Sequence, residues 1–174
     1  DWRHAGGDHS SSKYSPLDQI DSSNFLNLEL AWRWKSADLS LPEGVGYGTA
    51  DFRAVPLVVN GIMYVNTNHG MVAALNPKSG DELWLFDPES YRNGPPVQTN
   101  IMIRGIEHWT DGVIERIFVA TLGKQLLSLD ASTGQPDPNF GEDGFIDLSQ
   151  NLGRLEFESE FITAGAAPIA VGNS

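Results

Sequence analysis

Two stretches decide the fold: GIMYVNTNHGMVAALNPKSG (61–80) and ERIFVATLGKQLLSLDASTG (115–134). They align without a gap at an offset of 54 residues. Val65 matches Val119, Thr67 matches Thr121, Leu75 matches Leu129 and Gly80 matches Gly134, while Tyr64 pairs with Phe118 and Asn76 with Asp130. A sequence that repeats itself at this period builds one supersecondary unit per copy and stacks the copies. Each copy reads as short apolar runs separated by turn signals. Stretch 55–59 is apolar, Asn60-Gly61 is a hairpin signal, 62–66 follows, 68–70 turns, and 71–75 is a third run. Asn76 to Gly80 is a tight loop, and 82–86 is a fourth run with Leu83 and Leu85 on one face and Trp84 and Phe86 on the other. Four antiparallel strands in some fifty residues form a propeller blade. One blade cannot cover both of its faces, so neighbours must. Trp84 is placed to dock between blades; its counterpart in the second copy is Pro138, which leaves Phe140 to take over that packing.

A third cycle begins near the C-terminus, where APIAV (167–171) echoes VPLVV (55–59). The expected organisation is a lead-in over 1–50, a first blade over about 51–90, a second over about 98–140 and the start of a third over about 160–174. The lead-in holds the one helix-compatible stretch, 15–28, where Leu17, Ile20, Phe25 and Leu28 share a side; its Pro16 and Asp/Ser/Asn content suit a short helix or 3₁₀ segment. The fold class is therefore all-β, a partial propeller of about two four-stranded blades plus part of a third, with a short N-terminal helical segment. A small autonomous β-sandwich is the competing architecture.

Composition narrows the function. The 174 residues carry a formal net charge of −12, which argues against a nucleic-acid surface and against adsorption to anionic lipid. The absence of cysteine excludes disulfides and thiolate metal sites. No run approaches the ~20 apolar residues that span a bilayer.

The loop ALNPKSGDELW (74–84) resembles the tryptophan-docking motif of bacterial quinoprotein dehydrogenases, Ala-x-Asp-x-x-Thr-Gly-x-x-x-Trp, with Asn76 for Asp and Ser79 for Thr. The second copy keeps Asp130, Thr133 and Gly134 but lacks the Trp. WRHAGGD (2–8), YSPLDQI (14–20) and AWRW (31–34) resemble the lead-in of the glucose and sorbosone type of pyrroloquinoline-quinone (PQQ) dehydrogenase. RGIEHW (104–109) resembles that family's Arg-Gly-Val-Ala-Tyr-Trp segment. The resemblance covers nearly the whole chain and implies the N-terminal part of an eight-bladed propeller that binds PQQ beside Ca²⁺ on its axis. It implies oxidation of a sugar or alcohol hydroxyl, with electrons passed to a quinone or a cytochrome. It also implies a periplasmic location, with any membrane association carried by parts outside this chain. Noncatalytic propeller scaffolds that bind protein partners share the docking motif and are the alternative.

The resemblance places Arg104 on the quinone, where a planar guanidinium suits a carboxylate. Arg53 stands where many relatives have Glu, and either meets another PQQ carboxylate or is a solvated strand end. At the cofactor-facing Thr of the family this chain has Gly165, so a hydroxyl must come from Thr163. The neighbouring cysteines of the alcohol-oxidising branch are missing, which leans the reading toward the sugar branch. No residue matches the family's general base, and the Ca²⁺ ligands are expected elsewhere; no catalytic and no metal-ligating residue is assigned. His4 and His9 are read as too sparse for a metal, His69 as a solvated turn residue, and His108-Trp109 as core packing rather than the lining of a substrate mouth.

Overall fold

The computed structural model describes residues 1–43, 52–93, 103–151 and 166–172. Two four-stranded antiparallel sheets carry the fold. The first is β1 (Leu57–Val59), β2 (Ile62–Asn66), β3 (Val72–Leu75) and β4 (Glu82–Phe86), in that spatial order. The second is β5 (Glu107–Thr110), β6 (Glu115–Ala120), β7 (Gln125–Asp130) and β8 (Phe145–Asp147). These are two neighbouring blades, as the repeat requires. Asn60 and Gly61 both take positive φ, 51° and 78°, the conformation of the two-residue hairpin turn that matches strand twist. The fourth strand of the second blade lies past the stretch assigned to it. The loop 135–144 comes first, pinned by the Ser128 N–H on the Gly144 carbonyl and the Asp137 N–H on that of Ser128.

The core lies between the blades. From the first come Leu57, Val59, Tyr64, Val72 and Ala74; from the second come Ile117, Val119, Leu127 and Leu129, all buried in one cluster. Period-2 alternation explains the other side of the first blade, where Val65, Ala73 and Leu75 pack with Trp32 and Trp34. Leu83 and Leu85 stay exposed while Trp84 and Phe86 turn inward, as their alternation predicts.

Trp84 crosses from its own blade to the β7 turn of the next. Its Nε1–H donates to the Ala131 carbonyl at 3.1 Å, and its ring lies over Gly134. The turn that receives it is built alike in both copies. Gly80 N–H bonds the Asn76 carbonyl and Gly134 N–H that of Asp130, each at 2.8 Å. The Asn76 side chain accepts from Lys78 N–H, and the Asp130 carboxylate from Ser132 and Thr133 N–H.

Trp32 performs the same docking one step earlier. Its Nε1–H reaches the Pro77 carbonyl at 3.0 Å and its ring covers Gly80. Residues 30–34 thus match 82–86, and Trp32 and Trp34 cover the first blade's other face, a role not expected from the sequence. Phe140, expected to replace a second-copy tryptophan, packs within its own blade, 5.4 Å from the Phe118 ring.

The helical expectation over 15–28 reduces to one 3₁₀ turn, Phe25–Asn27, with another at Ala37–Ser40. Leu17, Ile20, Phe25 and Leu28 are all exposed. With no surface to bury that face against, a helix this short lacks the packing that normally stabilises it. No helix among the described residues is long and apolar enough to cross a membrane.

Candidate functional site at the inner-strand starts

Arg53 and Arg104 precede the innermost strands of consecutive blades. Val55 and Gly105 form a parallel bridge, and the Val55 N–H donates to the Arg104 carbonyl at 3.1 Å. The two arginines are therefore carried on segments running side by side in the same direction, and both are exposed. Parallel inner strands at matching heights follow from stacking equivalent blades.

Gly105 shows why glycine follows the second arginine. A Cβ there would meet the Ala5 Cβ at 3.3 Å, the Ala167 Cβ at 3.4 Å and the Val55 carbonyl at 3.9 Å. Three chain segments converge on it, the one carrying Ala167 being the start of the third cycle. That segment is also held by the Trp109 Nε1–H, which donates to the Gly172 carbonyl at 2.6 Å. Thr163 and Gly165 lie outside the described residues.

His108 points away from this end. It is buried on β5 with Nε2 3.2 Å from the Glu115 carboxylate, and Glu115 also accepts from the Asn60 side chain. Burial pushes the His108 imidazole below its ordinary range, with Glu115 opposing.

The N-terminal segment lines the inner edge of the first blade. Trp2 and Val58 exchange two backbone bonds, at 2.6 and 2.9 Å. This delivers His4 to β5, where its Nδ1 lies 2.7 Å from Glu107 Oε1. Glu107 is 2% exposed; burial pushes its carboxyl up, and the bond from His4 opposes that. The His9 ring stands 4.0 Å from the His4 ring, centroid to centroid. Ligand atoms of His4, His9 and Glu107 all lie within 4.8 Å of one another. Reading these histidines as too sparse considered two imidazoles alone; the fold adds a carboxylate from β5.

His69 corrects the other histidine expectation. It is buried rather than solvated, with Nδ1 3.2 Å from Asp38 Oδ2 and its ring edge-on to Tyr91. Asp38 also accepts from the Asn68 N–H. Burial works to raise the Asp38 carboxyl, but hydrogen bonds from His69 and Thr67 outweigh it and hold it below 3.8.

A family model described as PQQ: Glucose/ethanol/alcohol dehydrogenase, beta-propeller domain, matches residues 2–174. The chain belongs to this family. It is 34% identical over 136 residues to the quinohemoprotein alcohol dehydrogenase of Comamonas testosteroni, covering 78% of this chain and 17% of that protein. It is 37% identical over 137 residues to the 1-butanol dehydrogenase (cytochrome c) of Thauera butanivorans, covering 78% and 18%. Among solved structures it resembles the quinohemoprotein alcohol dehydrogenase ADHIIG of Pseudomonas putida, with TM-score 0.73 and 27% identity over 98% of this chain and 21% of that one. A europium-containing methanol dehydrogenase matches with TM-score 0.53 and 28% identity, over 76% and 21%. The chain thus spans about a fifth of the length of these relatives.

These findings correct the lean toward the glucose and sorbosone branch: PQQ-dependent alcohol dehydrogenases are the homologues. The lean rested on the lead-in and the Arg104–Trp109 segment as well as on missing cysteines. A cysteine pair is a local crosslink whose loss leaves blade packing intact, so it separates branches poorly.

Proposed function

We propose that this chain forms the first two blades, and the start of a third, of an eight-bladed PQQ-dependent dehydrogenase that oxidises an alcohol hydroxyl. The supporting observation is the Val55–Gly105 bridge, which sets the Arg53 and Arg104 segments side by side at one end of the inner strands. PQQ is a planar tricarboxylate, and two exposed guanidinium groups at one end of the blades fit its carboxylates. Arg104 holds one carboxylate and Arg53 a second, and Thr163 contributes a hydroxyl in place of the one lost at Gly165. Gly105 admits the close convergence of three segments beside the cofactor. When bound, PQQ accepts the two electrons released as the alcohol becomes a carbonyl, and a cytochrome or quinone receives them afterwards. The accompanying Ca²⁺ or lanthanide and the general base are held by later blades. The parent protein works in the periplasm.

The test is reconstitution of the full-length protein with PQQ and Ca²⁺, followed by quinone absorbance. A charged hydrogen bond contributes about 1.5–3 kcal/mol, so R104A weakens PQQ binding roughly 10- to 100-fold. R53A weakens it too, by less if its partner carboxylate is more solvated. Unchanged PQQ affinity in R104A overturns the assignment. Failure of the wild type to bind PQQ at all favours a noncatalytic scaffold.

A further inference from the structure

The geometry points to a second site beside the first: His4, His9 and Glu107 bind one divalent transition-metal ion of the zinc class, which clamps the N-terminal segment to the inner strand of the second blade.

The three donors come from two unrelated parts of the chain. Glu107 is fixed on β5 by pairing with Phe118 and is almost wholly buried. His4 is positioned by the Trp2–Val58 bridge. The following loop then folds back on itself: the Gly7 N–H bonds the His4 carbonyl at 2.8 Å, the Ser11 N–H that of Asp8 at 2.9 Å, and the Lys13 N–H that of Gly6 at 2.8 Å. The Trp2 ring packs on Gly7. This closed loop is what returns His9 to within 4.0 Å of the His4 ring.

A single shared proton satisfies His4 and Glu107 but gives the second imidazole no role. Two imidazoles and one carboxylate converging on a point are the donor set of zinc sites that keep a fourth position open. Here the fourth position opens into a cavity of 160 Å³, lined also by Asp8, Ala167, Pro168 and Ile169, which has room for a water ligand. Bonds of about 2.0–2.1 Å in a tetrahedron put donors about 3.3 Å apart. The His4–Glu107 pair opens slightly to reach that spacing, and His9 swings in from its exposed loop. Ca²⁺ is the wrong ion, because it takes six to eight oxygens. The site offers one carboxylate, while Asp8 is engaged with the Ser12 N–H and hydroxyl at 3.0 and 2.6 Å.

The site is tested in the full-length protein, stripped of metal and titrated with Co²⁺ while visible ligand-field absorption is followed. Wild type takes up one Co²⁺ with nitrogen-ligand bands that are absent from the H9A difference spectrum, and Zn²⁺ displaces it. H9A loses at least about 10-fold in affinity, in keeping with the loss of a ligand. Because His9 is exposed, H9A folds, whereas H4A and E107Q serve as further checks. Zn²⁺ raises the melting temperature of wild type more than that of H9A. H9A binding Co²⁺ as tightly as wild type overturns the proposal. So does a wild type that shows no Co²⁺ band up to about 100 µM, a level at which even a weak structural metal site fills.

Discussion

Placing a methyl group at Gly134 separates backbone strain from tryptophan docking. Gly134 has φ +71°, and an added Cβ would lie 2.5 Å from Trp84 Cε3 and 2.7 Å from Cδ2. Gly61 has nearly the same φ, +78°, with nothing within 4 Å of the added atom. Both alanines bear the left-handed penalty of about 1–2 kcal/mol. Only G134A must also push an indole off its seat, which adds about 1–3 kcal/mol of overpacking. If the ring leaves, its bond to the Ala131 carbonyl goes too, about 1 kcal/mol more. G134A should therefore be about 1–4 kcal/mol worse than G61A. Thermal melts of the full-length protein read the gap, and a W84A background checks its origin. Without the ring there is nothing to collide with, so the gap closes. Equal melting of G61A and G134A, or a gap that survives in W84A, would refute the docking argument.

Two further outcomes follow from the lead-in. W32A removes a half-buried ring and its bond to Pro77, and should cost about 3 kcal/mol; limited proteolysis should then cut the lead-in faster, and an unchanged cutting rate counts against the dock. Asp38 sets a pH dependence. Its folded pKa is depressed, so its contribution is present above the unfolded value near 3.8 and is lost as pH falls through the lower folded value. Acid melts of wild type and D38N should therefore converge below about pH 4 and separate above it; a constant difference down to pH 2 would contradict this.

The blades were legible because their determinants are local. Turn residues, alternation and the docking loop all sit within one repeat, so one copy predicts the next. Trp32 was harder to read, since no docking loop precedes it in this chain; aligning 30–34 with 82–86 would have found it. The candidate site was reached only through resemblance. Arg53 and Arg104 stand 51 residues apart, close to the repeat of 54, but that they share an end emerges only once the blades are stacked. His4 and Glu107 lie 103 residues apart. No local pattern links them, and only the inner-edge pairing of Trp2 makes them neighbours. The misreading of His69 has the same cause, because a buried partner from the Ala37–Ser40 turn, Asp38, cannot be inferred from a turn motif.

The lead-in also explains how one irregular segment organises a blade. Its first residues pair with the inner strand at Val58, and its later residues dock on the outer turn at Gly80. Pairing satisfies the inner-edge backbone groups, which cost several kcal/mol if buried without partners. Docking covers the apolar face formed by Val65, Ala73 and Leu75. A propeller blade needs both kinds of cover, and within a closed ring the preceding blade supplies the second. Here residues 30–34 cover that face, and Trp32 repeats Trp84's bond at the position 54 residues earlier, Pro77 in place of Ala131. The dock is thus a property of the turn that receives it.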